Sequence, residues 1–286
     1  MSRNNTLESL IFEAKKRLKK SGAGEYALDS RLFMMKATGL NKSETILNPS
    51  YILSDKEAYD FERMVSLREN GVPTQYITGF CEFMGRSFFV DENVLIPRPD
   101  TEVLVETVIE KGKMEGFKSV LDIGTGSGCI AISLSLSGFD VTAADISQGA
   151  VDVASKNAKY NKTEVKFVKS DLFSGLEKDA KFDAIVSNPP YIPTDVIETL
   201  MREVKEHEPK SALDGGNDGL DFYRRITDMA REYLNDGGYV FYEIGYDQSV
   251  SLHKIFEGNG FVDIKTVKDY GGNDRVVFGK YKRRGI

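Results

Sequence analysis

The chain has little of the residues that form crosslinks or bind transition metals. Its 286 residues include two cysteines, two histidines and no tryptophan. Cys81 and Cys129 lie far apart in the chain and have no cluster of cysteine or histidine beside them. This spacing argues against a disulfide framework and against a zinc site. We therefore expect a protein whose chemistry calls for no metal.

Long apolar runs are also missing. No stretch of about 18 apolar residues is present, so we expect no membrane span. Met1–Thr6 leads into a charged amphipathic segment without an apolar signal core, and we expect the protein to be cytoplasmic. A net charge of −6 argues against direct binding to nucleic acid.

The periodicity of apolar residues changes along the chain and predicts three regions. Residues 1–72 show apolar residues at helical spacing and predict a small helical bundle. Residues 73–95 predict a β-hairpin linker, with strands at Thr74–Thr78 and Arg86–Val90. Residues 96–286 form the remaining and largest region.

In the largest region strands and helices alternate, as is typical of an α/β fold with a mainly parallel sheet. The predicted strands are 119–123, 140–144, 165–169, 182–187, 238–244, 261–267 and 275–279. The predicted helices between them are 127–137, 147–160, 194–205, 219–235 and 247–258, with a short or irregular third crossover. Only Lys268–Asp274 separates the last two strands, which is too short for a crossover helix. The seventh strand is therefore predicted to run antiparallel.

A glycine-rich loop follows the first of these strands and opens a helix. Glycines permit a tight turn and close approach of the backbone to a ligand, and the helix start presents free N–H groups. The spacing Gly-x-Gly-x-Gly differs from the dinucleotide fingerprint, and no lysine follows as in a P-loop. The candidate ligand-binding residues of this loop are Gly124, Thr125, Gly126, Ser127 and Gly128.

Acidic residues follow the next two strands. Asp145 ends the second strand, where a carboxylate can accept hydrogen bonds from both hydroxyls of a ribose. Asp145 could instead only cap the next helix, although Ser147 already suits that purpose. After the third strand, Asp171 and Phe173 could hold an adenine by hydrogen bonding and stacking, whereas Phe173 alone would more often be a core residue.

The fourth strand ends in a segment whose residue types suit a binding or catalytic role, Asn188-Pro189-Pro190-Tyr191. Two adjacent prolines forbid continuation of the strand and entry into a helix, so the turn is rigid. The Asn188 amide oxygen and the Pro189 carbonyl can both accept hydrogen bonds. Two acceptors beside an aromatic ring suit a planar NH₂ group, although an isolated Asn-Pro-Pro-Tyr could equally be a plain turn.

A nicotinamide dehydrogenase is an alternative, because the fold does not settle the function. Such an enzyme would need a catalytic histidine or a Tyr-Lys pair. His207 and His253 both lie in charged helical segments, so no such acid stands out.

With the glycine loop, Asp145 and the Asn-Pro-Pro-Tyr segment in this order, the chain resembles the class I S-adenosylmethionine-dependent methyltransferases that methylate planar amino groups. More narrowly, it resembles the peptide chain release factor glutamine methyltransferases (HemK/PrmC family). The narrower resemblance rests on Gly71-Val-Pro-Thr-Gln-Tyr-Ile-Thr-Gly79, Glu82-Phe-Met-Gly85, Leu95-Ile-Pro-Arg-Pro-Asp-Thr-Glu102, Glu208-Pro209, Ala212-Leu213, Gly215-Gly-Asn-Asp-Gly-Leu220, Glu243-Ile-Gly245 and Gly272-Asn-Asp-Arg275.

The resemblance implies a seven-stranded Rossmann-like methyltransferase sheet and a cofactor, S-adenosylmethionine, that becomes S-adenosylhomocysteine. Its implied contacts are Gly124 to Gly128, Asp145, Asp171, Phe173 and Asn188. Many relatives carry tryptophan where this chain has Phe173. Asn188 to Tyr191 would grip the substrate glutamine, and residues 1–72 would hold the protein substrate.

The implied reaction methylates the side-chain nitrogen of the glutamine in the Gly-Gly-Gln motif of peptide chain release factors, giving N5-methylglutamine. Two alternatives stay open. An adenine or guanine amino-methyltransferase acting on DNA or RNA would use the same turn for a flipped base. A binding protein could keep the nucleoside site without catalysis.

Overall fold

The computed structural model describes residues 5–282, and these form two compact units. One unit contains the chain up to Phe80 together with Met201–His207. The other contains Cys81–Leu200 and the chain from Glu208 onwards. We call them the helical unit and the sheet unit.

The helical unit is built from amphipathic helices whose apolar faces meet in one core. Its core includes Leu7 and Leu18 of the first helix, Phe33 of the second and Phe61 of the fourth. Asn41 and Ser54 each begin a helix with a reciprocal capping box. The helices are α1 (Leu7–Ser21), α2 (Tyr26–Thr38), α3 (Lys42–Leu47), α4 (Asp55–Glu69), α5 (Thr74–Thr78) and, much later in the chain, Arg202–His207.

A buried ionic cluster ties these helices together. Arg68 donates to Asp29 at 2.8 Å and pairs with Glu203 at 2.8 Å. The Thr74 hydroxyl donates to the other oxygen of Asp29 at 2.7 Å. Both carboxylate oxygens of the buried Asp29 are therefore satisfied, as a buried charge requires.

The sheet unit contains a two-stranded hairpin and a seven-stranded sheet with helices around it. The strands are β1 (Phe80–Phe83), β2 (Arg86–Phe89), β3 (Ser119–Ile123), β4 (Asp140–Asp145), β5 (Lys166–Lys169), β6 (Phe182–Ser187), β7 (Leu234–Glu243), β8 (Phe261–Lys268) and β9 (Asp274–Tyr281). The helices are α6 (Asp100–Glu115), α7 (Cys129–Leu136), α8 (Gln148–Tyr160), α10 (Asp221–Tyr233) and α11 (Ser249–Gly258), while α9 is the helix Arg202–His207 of the helical unit.

The order of strands in the large sheet is β5-β4-β3-β6-β7-β9-β8. The first five are parallel, and β9 runs antiparallel to both β7 and β8. The predicted reversal of the last strand is thus confirmed. The chain order reverses beside β3, which has β4 on one side and β6 on the other. The crevice at the carboxyl ends of these strands is where open α/β sheets bind ligands.

Apolar side chains cover both faces of the sheet, which explains the near-continuous apolar runs of its central strands. On one face α6 and α7 contribute Leu104, Val108 and Ile132 to the core. On the other face α10 and α11 contribute Ile226 and Phe256. Among residues 5–282, each helix is too short or too polar to cross a membrane.

Two predicted elements are wrong. Thr74–Thr78 is a helix, α5, and not a strand, because Pro73 sets the turn that starts it and Gly79 ends it with a φ of 79°. The hairpin begins only at Phe80. The predicted helix 194–205 is instead a 3₁₀ turn, Ile197–Thr199, followed by α9, because Leu200 is extended and separates the two.

Candidate active site

A cavity of about 830 Å³ lies at the carboxyl ends of β3, β4, β5 and β6. Four loops that follow these strands line it: Gly124–Ser127, Asp145–Ser147, Ser170–Leu172 and Ser187–Pro190. Most of the residues predicted from the sequence to form a site are therefore brought together in one crevice.

The loop after β3 is shaped for close approach by a ligand. Gly124 and Gly126 have φ values of 75° and 54°, and neither would bring a Cβ within 4 Å of another atom. Their backbone is thus open towards the cavity. Gly128 differs, because a Cβ there would lie 3.0 Å from the Cβ of Ala154, so this glycine lets α7 pack on α8. Thr125 and Ser127 are buried and line the cavity.

Asp145 holds this loop in place while lining the cavity. One of its carboxylate oxygens accepts from the Gly126 N–H and the other from the Ser147 N–H, both at 2.9 Å. Each oxygen keeps a further lone pair for a ligand. The Ser147 hydroxyl accepts from the N–H of Ala150 and caps α8, so capping does not explain Asp145.

Asp122 is buried beneath the glycine loop. One of its oxygens accepts from the Thr125 hydroxyl at 2.7 Å, and the other has no hydrogen-bond partner among residues 5–282. Burial, with a smaller contribution from the charge of Asp145, raises the pKa of Asp122 to about 7. The loop thus rests on a carboxyl group whose charge changes near neutral pH.

The side of the cavity assigned to adenine is formed differently from the prediction. Phe173 is fully buried and stacks on Tyr233 with ring centroids 4.7 Å apart, so it does not present a face to the cavity. Leu172 lines the cavity instead, because its φ of 51° turns the chain there and sends the next side chain into the core. Ile146, which is 61% exposed, also lines the cavity, and so does Asp171.

At the end of β6, Asn188 is oriented by a residue that the sequence did not single out. Its amide nitrogen donates to the hydroxyl of Thr101 at 3.2 Å. Thr101 lies in the first turn of α6 and is 2% exposed. With the nitrogen engaged, the Asn188 oxygen remains as an acceptor beside Pro189 and Pro190, which also line the cavity.

The segment Gly215–Leu220 holds the backbone of this turn. Ile192 donates to Leu213 at 3.0 Å, and Gly215 donates back to Ile192 at 2.8 Å. A Cβ on Gly219 would lie 2.3 Å from the Tyr191 carbonyl oxygen. The Gln248 amide donates to that same oxygen at 3.0 Å. The approach is so close that only glycine fits at Gly219.

Tyr191 lies behind the cavity wall. Its ring packs against the core on the α10 side of the sheet. Its hydroxyl is 3.5 Å from a carboxylate oxygen of Glu243, and burial raises the pKa of the hydroxyl above its usual range. The predicted clamping of a flat amide by Tyr191 stays a prediction.

Glu243, at the end of β7, is 1% exposed, and its second oxygen has no hydrogen-bond partner among the described residues. Burial raises the pKa of Glu243 to about 7, against the opposing effects of the Thr101 hydroxyl and Arg275. The signal that could have revealed Glu243 is a lone acidic residue closing the apolar strand Tyr239-Val-Phe-Tyr-Glu243.

Residues 5–282 contain no group of three or more His, Cys, Asp or Glu side chains arranged to hold a metal ion. The polar groups that line the cavity include backbone amides, carboxylates, hydroxyls, arginine side chains and the Asn188 amide. These groups suit a nucleoside and a planar amide.

Comparison with known proteins gives matches in both units. Residues 99–210 match the family model described as methyltransferase small domain, and residues 9–79 match the PrmC N-terminal domain. A methyltransferase structure from Pyrococcus furiosus superposes with a TM-score of 0.52 at 23% identity, covering 70% of this chain and 90% of that one. This likeness concerns the fold.

Curated relatives match almost the whole chain. The release factor glutamine methyltransferase of Clostridium botulinum is 42% identical over 276 residues, covering 95% of this chain and 98% of the relative. That of Fusobacterium nucleatum is 44% identical, covering 92% of this chain and 75% of the relative. At this identity and coverage, the chain belongs to the release factor glutamine methyltransferase family.

Proposed function

We propose that the protein transfers a methyl group from S-adenosylmethionine to the side-chain nitrogen of the glutamine in the Gly-Gly-Gln motif of peptide chain release factors, giving N5-methylglutamine. The observation that carries the proposal is the orientation of Asn188. Thr101 engages its amide nitrogen, which leaves its oxygen as an acceptor in the cavity.

The residues around the cavity fit the cofactor. The open backbone of Gly124 and Gly126 gives room for close approach, and Asp145 offers lone pairs to a ribose. Ile146 and Leu172 offer apolar surface to an adenine ring. When bound, S-adenosylmethionine supplies an electrophilic methyl group on a sulfonium, and no metal is needed.

Asn188 and Pro189 would activate the substrate nitrogen. An amide nitrogen is a poor nucleophile because its lone pair is delocalised into the carbonyl group. Acceptance of its two N–H bonds by the Asn188 oxygen and the Pro189 carbonyl orients the nitrogen and shifts electron density towards it. The same acceptors stabilise the positive charge that develops on nitrogen. One N–H is replaced by N–CH₃, and one proton is released.

The names of the relatives support the substrate class, because the curated matches at 38–44% identity are release factor glutamine methyltransferases. We assign residues 1–72, the larger part of the helical unit, to recognition of the release factor outside the Gly-Gly-Gln loop. We propose that the reaction takes place in the cytoplasm, because translation factors act there. The boundaries we propose for the functional regions are 1–72 for recognition, 73–95 for the linker and 96–286 for catalysis.

The test is to incubate the purified protein with methyl-labelled S-adenosylmethionine and, separately, with full-length release factors and with DNA and RNA oligonucleotides. We expect label only on the release factors, and mass spectrometry should place the methyl on the motif glutamine. A release factor with Gly-Gly-Ala in place of Gly-Gly-Gln is the matched control. Label on the oligonucleotides alone would instead indicate an adenine or guanine amino-methyltransferase, and no label at all would indicate a binding protein.

A further inference from the structure

We infer that Arg98 binds main-chain carbonyl oxygens of the Gly-Gly-Gln loop. This role rests on the proposed function and deepens it, because it names what the site recognises in the substrate besides the glutamine side chain. We call Glu208 the positioning residue of Arg98, since its carboxylate contacts Arg98 and it is not among the described residues that line the cavity.

Arg98 lies on a stiff piece of backbone at the start of α6. It stands between Pro97 and Pro99, which restrict the backbone conformation on both sides. The Arg98 carbonyl accepts from the Thr101 N–H at 3.1 Å. The Thr101 hydroxyl in turn accepts from the Asn188 amide at 3.2 Å. One short turn therefore connects Arg98 to the residue that orients Asn188, and this places Arg98 on the Asn188 side of the cavity.

The Arg98 side chain is held by a buried carboxylate and still reaches the cavity. Its Nη2 donates to a Glu208 oxygen at 2.6 Å, and the two side chains are 37% and 2% exposed, respectively. Arg98 itself lines the cavity. A charge-assisted hydrogen bond to a buried partner fixes the planar guanidinium. Because a guanidinium carries five N–H bonds and this contact uses one of them, Arg98 keeps donors for a ligand.

Two other arginines line the cavity, and both are paired at the protein surface. Arg224 pairs with Asp218, and Arg225 pairs with Asp171. All four of these side chains are between 47% and 53% exposed. Exposed ion pairs fix their side chains only weakly. Arg98 differs from both because its partner is buried.

The Asn188 side of the cavity is poor in backbone donors. Four prolines line it next to Arg98, Asn188 and Glu208 in the chain: Pro97, Pro189, Pro190 and Pro209. Proline has no N–H to donate. A peptide that enters there buries carbonyl oxygens, and each costs free energy unless a donor meets it. Arg98 supplies charged donors beside prolines that supply none.

The chemistry of the reaction indicates the main chain, rather than the reacting amide, as the partner of Arg98. A hydrogen bond donated to the side-chain oxygen of the glutamine would draw the nitrogen lone pair further into the carbonyl group. That effect opposes the Asn188 and Pro189 acceptors. Main-chain carbonyls take no part in the reaction, and glycine leaves them open to a planar donor. Arg98 therefore contributes to substrate binding equally before and during methyl transfer.

The test measures kcat and KM with a short Gly-Gly-Gln peptide and saturating S-adenosylmethionine. Arg98→Ala should raise KM roughly 10- to 100-fold, as for loss of hydrogen bonds to a charged group, with kcat within about threefold of the wild type. Arg98→Lys keeps the charge without the planar fork and should give an intermediate KM. Calorimetry should show unchanged affinity for S-adenosylmethionine, because the Gly126 and Asp145 contacts are untouched.

Arg231→Ala is the matched control for Arg98→Ala. Arg231 is 42% exposed on α10, pairs with Asp228, and is not among the described residues that line the cavity. Its replacement removes the same charge from the sheet unit. We expect the KM of the wild type for the peptide.

Two further variants separate positioning from folding. Glu208→Gln holds the guanidinium less firmly and should raise KM by a smaller factor, about three- to tenfold, with kcat unchanged. Arg98→Ala leaves the buried Glu208 carboxylate uncompensated, which destabilises the fold. The double variant Arg98→Gln with Glu208→Gln removes both charges, and it should show the raised KM of Arg98→Ala with a denaturation midpoint nearer to that of the wild type.

Peptides that contain an ester identify the group that Arg98 binds. An ester carbonyl is a weaker hydrogen-bond acceptor than an amide carbonyl. Three peptides carry an ester in place of the peptide bond after the first glycine, the second glycine or the glutamine. With the wild type, at least one ester should lower kcat/KM roughly three- to tenfold, and with Arg98→Ala the same ester should have no effect.

The outcomes separate the two proposals. Wild-type KM in Arg98→Ala, equal ester effects in both enzymes, or an equal rise in KM in Arg231→Ala would refute the role of Arg98 and leave the proposed function intact. A wild type that methylates oligonucleotides and no Gly-Gly-Gln substrate would refute the proposed function and, with it, the recognition of peptide carbonyls by Arg98.

Discussion

At the scale of single residues, the orientation of the Asn188 amide decides whether the cavity presents a hydrogen-bond acceptor or a hydrogen-bond donor at that position. Asn188 follows a rigid turn, and its nitrogen is engaged by a buried hydroxyl. The sequence predicted Asn188 as the acceptor. It could not predict Thr101 as its support, because Thr101 lies far from Asn188 in the chain and meets it only in the folded sheet unit.

Replacement of Asn188 with alanine should strongly slow methyl transfer while leaving cofactor binding intact. The variant loses one of two acceptors for the developing charge, and we expect kcat to fall on the order of 10²- to 10³-fold. Calorimetry should give a dissociation constant for S-adenosylmethionine within about twofold of the wild type, because the loops at Gly124 and Asp145 are untouched. Parallel loss of both properties would contradict this division of roles.

Replacement of Asp145 with alanine should first weaken the affinity for the cofactor. The variant loses a carboxylate that also fixes the Gly126 and Ser147 N–H groups. We expect the dissociation constant for S-adenosylmethionine to rise roughly 10- to 100-fold, as for loss of a charge-assisted hydrogen bond. Asp145→Asn keeps one acceptor oxygen and should show a smaller increase. A variant that binds cofactor normally would exclude the ribose role.

Leu172 lines the cavity, and the predicted Phe173 does not. This difference shows a limit of reasoning from residue type. An aromatic residue near a predicted nucleoside site suggests that its ring stacks on the base. The choice between adjacent side chains depends on one backbone angle, the positive φ of Leu172. Leucine rarely adopts that conformation, so nothing in its identity signals it.

At the scale of elements, the periodic segments were predictable and the connections were not. The sequence predicted β3 and β6 at their observed bounds, because each is a short apolar run buried on both faces. It placed the start of β7 too late, since Asn235-Asp-Gly-Gly238 is typical of a turn. In the structure Leu234 pairs with Phe182 across an irregular register. Pairing with the neighbouring strand β6 therefore makes Leu234–Gly238 part of β7, although its local sequence favours a turn.

The segment Gly215–Leu220 yields a prediction at this scale. Gly219→Ala forces a φ of 71° on alanine and places its Cβ 2.3 Å from the Tyr191 carbonyl oxygen. We expect the free energy of unfolding to fall by about 2–4 kcal/mol and kcat to fall further than cofactor affinity. Chemical denaturation and calorimetry measure the two effects.

Gly272→Ala is the matched control for Gly219→Ala. Gly272 has a φ of 86°, and a Cβ there would meet no atom within 4 Å. Its substitution should therefore cost only about 1–2 kcal/mol for the backbone conformation, with normal kcat. Equal kcat losses in the two variants would show that the contact with Tyr191 does not position the turn.

At the scale of the whole molecule, we propose that catalysis belongs to the sheet unit and recognition of the release factor to the helical unit. Every described residue that lines the cavity belongs to the sheet unit. The helical unit carries large apolar side chains on its surface instead, among them Leu47 at 77% and Ile52 at 73% exposed. Contiguous apolar patches mark surfaces that bind another protein, whereas single exposed apolar residues are ordinary. We propose that Leu47 and Ile52 form part of such a patch.

This division predicts that Leu47→Gln combined with Ile52→Gln weakens recognition of the intact factor only. We expect KM for full-length release factor to rise roughly tenfold, because apolar contacts at the centre of an interface dominate its energy. KM for a short Gly-Gly-Gln peptide and kcat should not change, since the cavity is untouched. Met114→Gln is the control, as Met114 is 73% exposed on α6 of the sheet unit. If the double variant has the KM of the wild type for both the full-length factor and the peptide, these two side chains do not bind the factor. If Met114→Gln raises KM for the full-length factor as much as the double variant does, the effect is not specific to the helical unit.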